Sequence, residues 1–175
     1  AYLYTNKLID YNIEKDISYE RCEHLLGRMD TTAEQHFQVY KENSKILCNQ
    51  PIKKMSNLTQ RLLSSIDYKT ISDKRRKNFN IIHNELGKRN KLEFNISSKE
   101  VAMIYPFLVL NGSKLKRELI ANKIYVASYW PNVLNWAEKD SFEYNITNNL
   151  LALPIDQRYS EDDMYRIIEI IKRII

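Results

Sequence analysis

The spacing of the apolar residues changes near residue 100, and this change constrains the fold more than any other feature of the sequence. Before it, apolar residues recur every three or four positions, which predicts helices at 18–29, 31–48, 57–66 and 68–87. After it, the apolar run 101–110 (VAMIYPFLVL) has the length of a buried strand, and 123–128 (KIYVAS) predicts a second one. A chain with both patterns is predicted to be an α/β protein, not a helical bundle.

The elements predicted after residue 100 alternate between strands and helices. Ser113 is predicted to cap a helix that runs to about residue 122, and a further helix and strand follow at 142–151 and 151–155. Pro106 lacks an N–H group, so it indicates an edge position or a bulge in its strand. The closing helix starts at Ser160, which forms a capping box with the acidic residues after it. We therefore predict long paired helices followed by a small mixed sheet that helices cover, in α+β layers.

The longest predicted helix, 68–87, has two faces of different character. Its apolar face is formed by Ile71, Phe79, Ile82 and Leu86. Gly87 stands where a left-handed cap would end the helix. The opposite face carries four cations at 74–77 (KRRK), which form either a solvated helix face or a surface that contacts phosphate.

Composition narrows the functional classes. The three glycines stand far apart, which excludes the glycine-rich phosphate loops. The net charge of +5 is mild and accompanies a general abundance of lysine, so we do not expect a nucleic-acid partner. The longest apolar run is too short to span a bilayer, no signal peptide is visible, and two cysteines fit a reducing compartment. We therefore expect a cytoplasmic protein without a membrane partner.

Few residues indicate chemistry by their spacing alone. Cys22, His24, His36 and Cys48 lack the paired spacing of a zinc site, so no metal is predicted. His83 lies inside a predicted helix and has no partner that the sequence reveals, so no catalytic residue is predicted in this chain.

An aromatic cluster follows the second predicted strand. Its members are Tyr125, Tyr129, Trp130 and Trp136, and Pro131 stiffens the loop between them. Loops of this kind often line ligand sites in α/β proteins. The cluster therefore either closes the edge of the core or stacks on a sugar or a base.

The order of motifs along the chain resembles that of a known enzyme family. The motifs are YPFLVL (105–110), KLKRELIANKI (114–124), YVASYWP (125–131) and LALPIDQRYSEDDM (151–164), with similar stretches at 53–79 and 1–6. Together they resemble the C-terminal part of the DegT/StrS-type sugar aminotransferases, which are fold-type I pyridoxal-phosphate enzymes. The resemblance covers nearly the whole chain, and it depends on the order and spacing of the motifs.

The resemblance implies how the chain divides and what it lacks. It implies that residues 1–66, a strand at 1–5 followed by helices, join a large domain that precedes this chain, and that 67–175 form the small C-terminal α/β domain. In the family, the lysine that forms the Schiff base lies before the strand that matches 1–6. The resemblance therefore implies a C-terminal fragment of a nucleotide-sugar aminotransferase for surface polysaccharide synthesis, inactive without its upstream part.

The resemblance also implies roles for three residues of this chain. Lys54 matches a basic position that approaches the cofactor phosphate across a homodimer interface. Tyr129 and Trp130 match the loop on the substrate side, where they would bind a nucleotide-linked keto-sugar. An amino acid, expected to be glutamate, would supply the amino group. The cofactor, pyridoxal 5′-phosphate, belongs to the parent protein and is not expected to bind this fragment alone.

A non-catalytic function remains the alternative. The helix 68–87 could contact nucleic acid or another phosphate-rich partner, although Tyr68, Lys69 and Thr70 at its start are a weak set for reading bases. The chain could also be a dimerisation module that keeps the family fold without its activity.

Overall fold

The computed structural model describes residues 6, 12–48, 50–97 and 99–175. In these ranges the protein is a mixed α/β chain that divides into two units, Ala1–Ile66 and Asp67–Ile175. The strand predicted at 1–5 lies outside the described residues. The larger domain that the first unit was expected to join stays a prediction.

The described part of the first unit is helical. Its helices are α1 (Glu23–Asp30), α2 (Phe37–Cys48) and α3 (Asn57–Ser64), and a 3₁₀ turn, Tyr19–Arg21, precedes them. Helix α2 begins six residues later than predicted, because 33–36 form a turn in which the Thr32 hydroxyl accepts the N–H of Gln35. Helix α3 begins where predicted, and the Ser56 hydroxyl caps it by accepting the N–H of Thr59.

The two strands found among the described residues lie in the second unit. Its elements in chain order are α4 (Tyr68–Leu86), β1 (Ile104–Leu108), α5 (Gly112–Ala121), α6 (Val133–Trp136), α7 (Phe142–Asn149), β2 (Leu150–Pro154) and α8 (Glu161–Ile174). A 3₁₀ turn, Gly87–Arg89, continues α4. Gly87 has φ −55°, so the predicted left-handed cap is wrong, and the backbone stays right-handed into the turn.

The sheet is antiparallel and smaller than predicted. Strands β1 and β2 pair with Tyr105 opposite Leu153, whereas 123–128 contribute only one bridge, Ala127 to Ala152. The predicted second strand and the mixed sheet are therefore wrong. Lys123 is left-handed, with φ 63°, and the next N–H, that of Ile124, donates to Leu119 O at 2.8 Å. This Schellman cap ends α5 and removes an N–H that a strand would need.

An asparagine side chain covers the outer edge of β1. Asn90 Nδ2 donates to Pro106 O at 2.8 Å, and Asn90 Oδ1 accepts the N–H of Leu108 at 2.9 Å. Residues two apart in a strand turn their backbone groups to the same side, so the N–H that Pro106 lacks would face this edge. The prediction of an edge position for Pro106 is confirmed.

The core of the second unit lies between the sheet and the two long helices. Its large buried side chains include Phe79, Ile82 and Leu86 of α4, Tyr105 and Phe107 of β1, and Met164, Ile167, Ile168 and Ile171 of α8. The capping box predicted at Ser160 is present, with Asp163 as its partner. The apolar faces predicted for both helices thus form the core.

The basic run at 74–77 is occupied by contacts within the second unit. Arg75 Nη1 donates to Met103 O at 3.0 Å, and Arg76 Nε donates to Glu100 O at 3.3 Å. Lys77 Nζ lies 2.6 Å from Glu161 Oε1, at the start of α8. These contacts tie neighbouring segments to α4, while the Lys77 side chain stays 57% exposed, so the interpretation as a solvated helix face is correct only in part.

Helix α5 begins at Gly112 and not after Ser113 as predicted. Asn111 occupies the cap position without a side-chain hydrogen bond, and the Gly112 N–H donates instead to Asn149 Oδ1 at 3.1 Å. The two backbones approach closely here, since a Cβ on Gly112 would lie 1.9 Å from Asn149 O. A residue without a side chain is required at this contact.

Replacing Gly112 should therefore destabilise the protein. We expect Gly112→Ala to lower the free energy of unfolding by about 1–3 kcal/mol, because backbone atoms must shift to admit the methyl group. Gly87→Ala is the matched control, since its Cβ would meet only the His83 side chain, at 3.2 Å, and its φ suits alanine. Urea unfolding of both variants checks this expectation, and equal losses would contradict it.

The Asn78 amide joins α4 to the segment after β2. Its Nδ2 donates to the carbonyls of Ile155, Asp156 and Tyr159 at 3.2–3.3 Å, in a fully buried position. We expect Asn78→Ala to cost about 1–3 kcal/mol of unfolding free energy, because buried carbonyls lose their donor. Asn78→Asp should cost more, because a buried carboxylate would face those carbonyls.

Thermal unfolding of the two Asn78 variants gives the measurement. The same substitutions at exposed Asn80, two residues along α4, are the control and should change stability little. If Asn78→Asp were as stable as Asn78→Ala, the three-carbonyl contact would not be present.

Candidate functional site

Lys54 lies beside a polar cavity in the first unit. Its backbone is held on both sides, because Lys54 N donates to Glu14 O at 2.8 Å and Lys54 O accepts the N–H of Asp16 at 2.9 Å. The cavity has a volume of about 330 Å³. Among the described residues Lys54 forms no ion pair, and its side chain is exposed.

The other charged side chains and the buried hydroxyl around this cavity already have partners. Ser56 is buried, and its hydroxyl lies 2.6 Å from that of Ser18 and 2.9 Å from that of Thr59. Asp16 pairs with Arg21, and Lys53 Nζ lies 3.7 Å from Glu14 Oε2. The ammonium group of Lys54 is therefore the charge that remains available in this cavity.

These residues fit a phosphate group but not a whole cofactor. A lysine at the rim of a polar cavity can contact a phosphate as a point charge. The apolar walls that would hold an aromatic ring are limited to Leu47, Pro51 and Met55 in the described lining. Lys54 could therefore hold the phosphate end of pyridoxal phosphate.

Tyr129 and Trp130 lie together in the second unit, in the loop between α5 and α6. Their ring centroids are 5.7 Å apart, at an interplanar angle of 51°. Tyr129 is half-buried, whereas the Trp130 side chain is 71% exposed. Tyr125 and Trp136 are also exposed, so the interpretation that the cluster closes the core edge is wrong for these three aromatics.

The backbone of Trp130 is strained. Its φ of 50° places a bulky residue in the left-handed region of the backbone. In that region the Cβ of any residue other than glycine crowds the backbone carbonyl oxygen. The Trp130 carbonyl accepts the N–H of Val133 at 2.9 Å, which starts α6. Strained residues often occur at ligand sites, which makes this loop the stronger candidate in the second unit.

A lysine that the sequence analysis did not identify lies beside this loop. Lys116 of α5 hydrogen-bonds through Nζ to the Ser128 hydroxyl, and burial lowers the pKa of its ammonium group. Desolvation disfavours the charged form, and no carboxylate pairs with it among the described residues. The sequence did not indicate a role for Lys116, because its contact with Ser128 joins a helix to a later segment of the chain.

His83 has a structural partner. Its Nδ1 lies 3.1 Å from the Tyr105 hydroxyl, and its ring stacks on Phe79 with centroids 5.9 Å apart. Burial raises the pKa of Tyr105. These groups form an aromatic cluster beside the core. The sequence did not reveal the partner of His83, because Tyr105 lies on a different element and meets it only in the folded protein.

The strain at Trp130 can be measured with two substitutions. Trp130→Gly and Trp130→Ala both remove the indole, but only glycine relieves the left-handed backbone. We expect the glycine variant to be about 1 kcal/mol more stable than the alanine variant. At Trp136 of α6 the order should reverse, because glycine weakens a helix there. Urea unfolding of the four variants gives the comparison, and an alanine variant at 130 that matches the glycine variant would exclude strain.

In the described ranges, no group of three His, Cys, Asp or Glu side chains is placed to hold a metal ion. No helix in those ranges has both the length and the apolar character needed to cross a membrane. Comparison of the chain with protein-family models, curated proteins and solved structures found no match.

Proposed function

We propose that this chain is the C-terminal part of a pyridoxal-phosphate-dependent nucleotide-sugar aminotransferase. The parent enzyme would move an amino group from an amino acid to a nucleotide-linked keto-sugar in the synthesis of surface polysaccharide. The observation that carries the proposal is the exposed, strained Tyr129–Trp130 loop, which follows α5 where the resemblance places the substrate-side loop.

The residues of this chain would position the two ligands. Lys54 would contact the cofactor phosphate as a point charge. The Tyr129 hydroxyl would hydrogen-bond the nucleotide-linked sugar, and the Trp130 indole would stack on its ring. Bound pyridoxal phosphate would supply the electron sink for amino transfer, and the Schiff-base lysine would come from the upstream part of the parent.

The parent is expected to be a cytoplasmic homodimer with its sites at the subunit interface. Helices α1, α2 and α3 have no buried residue and expose large apolar side chains, including Leu25, Leu26, Met29, Phe37 and Ile46. Exposed apolar side chains in such number are typical of surfaces that meet another protein surface. They support assembly with a further domain or a second subunit.

The same exposed side chains favour a second candidate, a dimerisation module without catalytic activity. A nucleic-acid-binding module is less well supported, because the basic run at 74–77 is largely engaged within the second unit. The two remaining candidates differ in whether the parent binds pyridoxal phosphate.

The proposal is tested on the parent protein, expressed from the gene with its region upstream of Ala1. We expect a visible absorption band from bound pyridoxal phosphate and a rise in thermal stability when the cofactor is added. We expect Lys54→Gln to weaken cofactor binding about tenfold, through loss of one charged contact. Trp130→Ala should raise KM for the nucleotide-sugar and leave cofactor binding unchanged.

Two controls carry matched substitutions. Lys45→Gln removes an exposed lysine of α2, and Phe142→Ala removes an exposed aromatic ring of the second unit that lies outside the aromatic cluster. Both should leave cofactor and sugar binding unchanged. A parent protein with neither the absorption band nor the thermal shift would contradict the enzyme proposal, and sedimentation of that protein as a dimer would favour the dimerisation module.

A further inference from the structure

The unit Asp67–Ile175 contains a cavity that is lined by cations and apolar side chains. Its volume is about 370 Å³, within the range of about 300–1,000 Å³ that is typical of small-molecule sites. Arg89, Lys91 and Lys114 contribute the charge, and we name it the basic cavity after these three residues. Val109, Leu110 and Ile174 contribute apolar surface.

The three cations of the basic cavity come from two segments of the chain, 89–91 and the start of α5. Arg89 ends the 3₁₀ turn after α4, and Lys91 is fixed beside the end of β1, since its N–H donates to Leu108 O at 2.9 Å. Lys114 lies in the first turn of α5, where its N–H donates to Asn111 O at 3.1 Å. The fold therefore brings Lys114 to the same cavity as two cations from an earlier segment.

The charge of the basic cavity is not neutralised by acidic side chains. No lining residue is Asp or Glu, and among the described residues Lys91 and Lys114 form no ion pair, whereas Arg89 Nη1 lies 3.4 Å from Ile175 O, which belongs to a carboxylate in the 175-residue chain. The other three described cavities each include a carboxylate, from Asp16, Glu93 or Glu100. Like charges that converge without a counter-charge attract an anion.

The two helix ends at the basic cavity have opposite effects. The N-terminus of α5 adds partial positive charge beside Lys114. The C-terminus of α8 adds partial negative charge, and in the 175-residue chain the Ile175 carboxylate adds a full charge, to which Arg89 Nη1 donates at 3.4 Å. Arg89 is thus partly engaged, whereas the ammonium groups of Lys91 and Lys114 remain available for a ligand.

We propose that the basic cavity binds a phosphate monoester that carries an apolar body. The phosphate, with a charge of about −1.5 to −2 at pH 7, would lie between Lys91 and Lys114, since a dianion can pair with two ammonium groups. The apolar body would rest on Val109, Leu110 and Ile174. This site is separate from Lys54 and from the Tyr129–Trp130 loop, and it does not depend on the aminotransferase proposal.

Calorimetric titration of the 175-residue chain with three probes tests both parts of the ligand. The probes are 1-naphthyl phosphate, 1-naphthol and inorganic phosphate. We expect naphthyl phosphate to bind at least about tenfold more tightly than either of the others, because only it satisfies both the cations and the apolar surface. Absence of naphthyl phosphate binding, or equally tight binding of naphthol or of inorganic phosphate, would overturn the proposal.

Substitutions then locate the site. The double variant Lys91→Gln/Lys114→Gln should bind naphthyl phosphate about tenfold more weakly or worse, because two charged contacts are lost. Leu110→Glu supplies the missing carboxylate at a side chain that is already 71% exposed, and should weaken binding comparably. Lys139→Gln, at an exposed lysine outside the cavity, should bind as the unmodified chain does. Unchanged affinity in the double variant would place the binding elsewhere and overturn the proposal.

Discussion

The second unit depends on closing the edges of a sheet that has only two strands. An isolated strand pair is marginally stable in water, and its unpaired backbone groups invite pairing with other chains. Asn90 closes the outer edge of β1 with one side chain, which both donates to and accepts from the backbone. Ala127 bridges the other side of β2 at Ala152, and α4 and α8 contribute the buried apolar residues that pack on the strands. Covering the edges and one face in this way lets ten strand residues organise a core.

The sequence predicted the elements whose local signals agree with their packing. Helix α8 has an apolar stripe and a capping box, and both features are present in the fold. The segment after α5 was mispredicted as a strand because its apolar residues, Ile124 and Val126, are buried without pairing. The left-handed residue that ends α5 is Lys123 and not a glycine, so the usual sequence signal for this cap is missing. At Gly87 the signal was present, but the helix continues into a 3₁₀ turn.

The candidate sites also differ in whether a local sequence signal marks them. The Tyr129–Trp130 loop could be predicted from the sequence, because aromatic residues beside a proline after an apolar stretch indicate a candidate ligand loop. Its strain could not be found, because the left-handed residue is a tryptophan and not the glycine that usually marks such a backbone. The contact of Lys116 with Ser128 and the approach of Lys114 to Arg89 and Lys91 could not be predicted either, because each joins segments that are apart in the sequence. The spacing of residues along the sequence predicts one helix or strand at a time, whereas these clusters form between segments that meet only in the folded protein.

The surroundings of a cation are more informative than its membership in a basic run. The densest run, at 74–77, allowed a solvated helix face or a surface that contacts phosphate, yet Arg75 and Arg76 donate to backbone carbonyls and Lys77 pairs with Glu161. These three side chains hold 100–103 and α8 against α4. Lys54, Lys91 and Lys114 stand in no such run, yet among the described residues they lack acidic partners and border cavities. Because an unneutralised cation at a cavity gains most from an anion, binding is better sought at these three lysines than at the run.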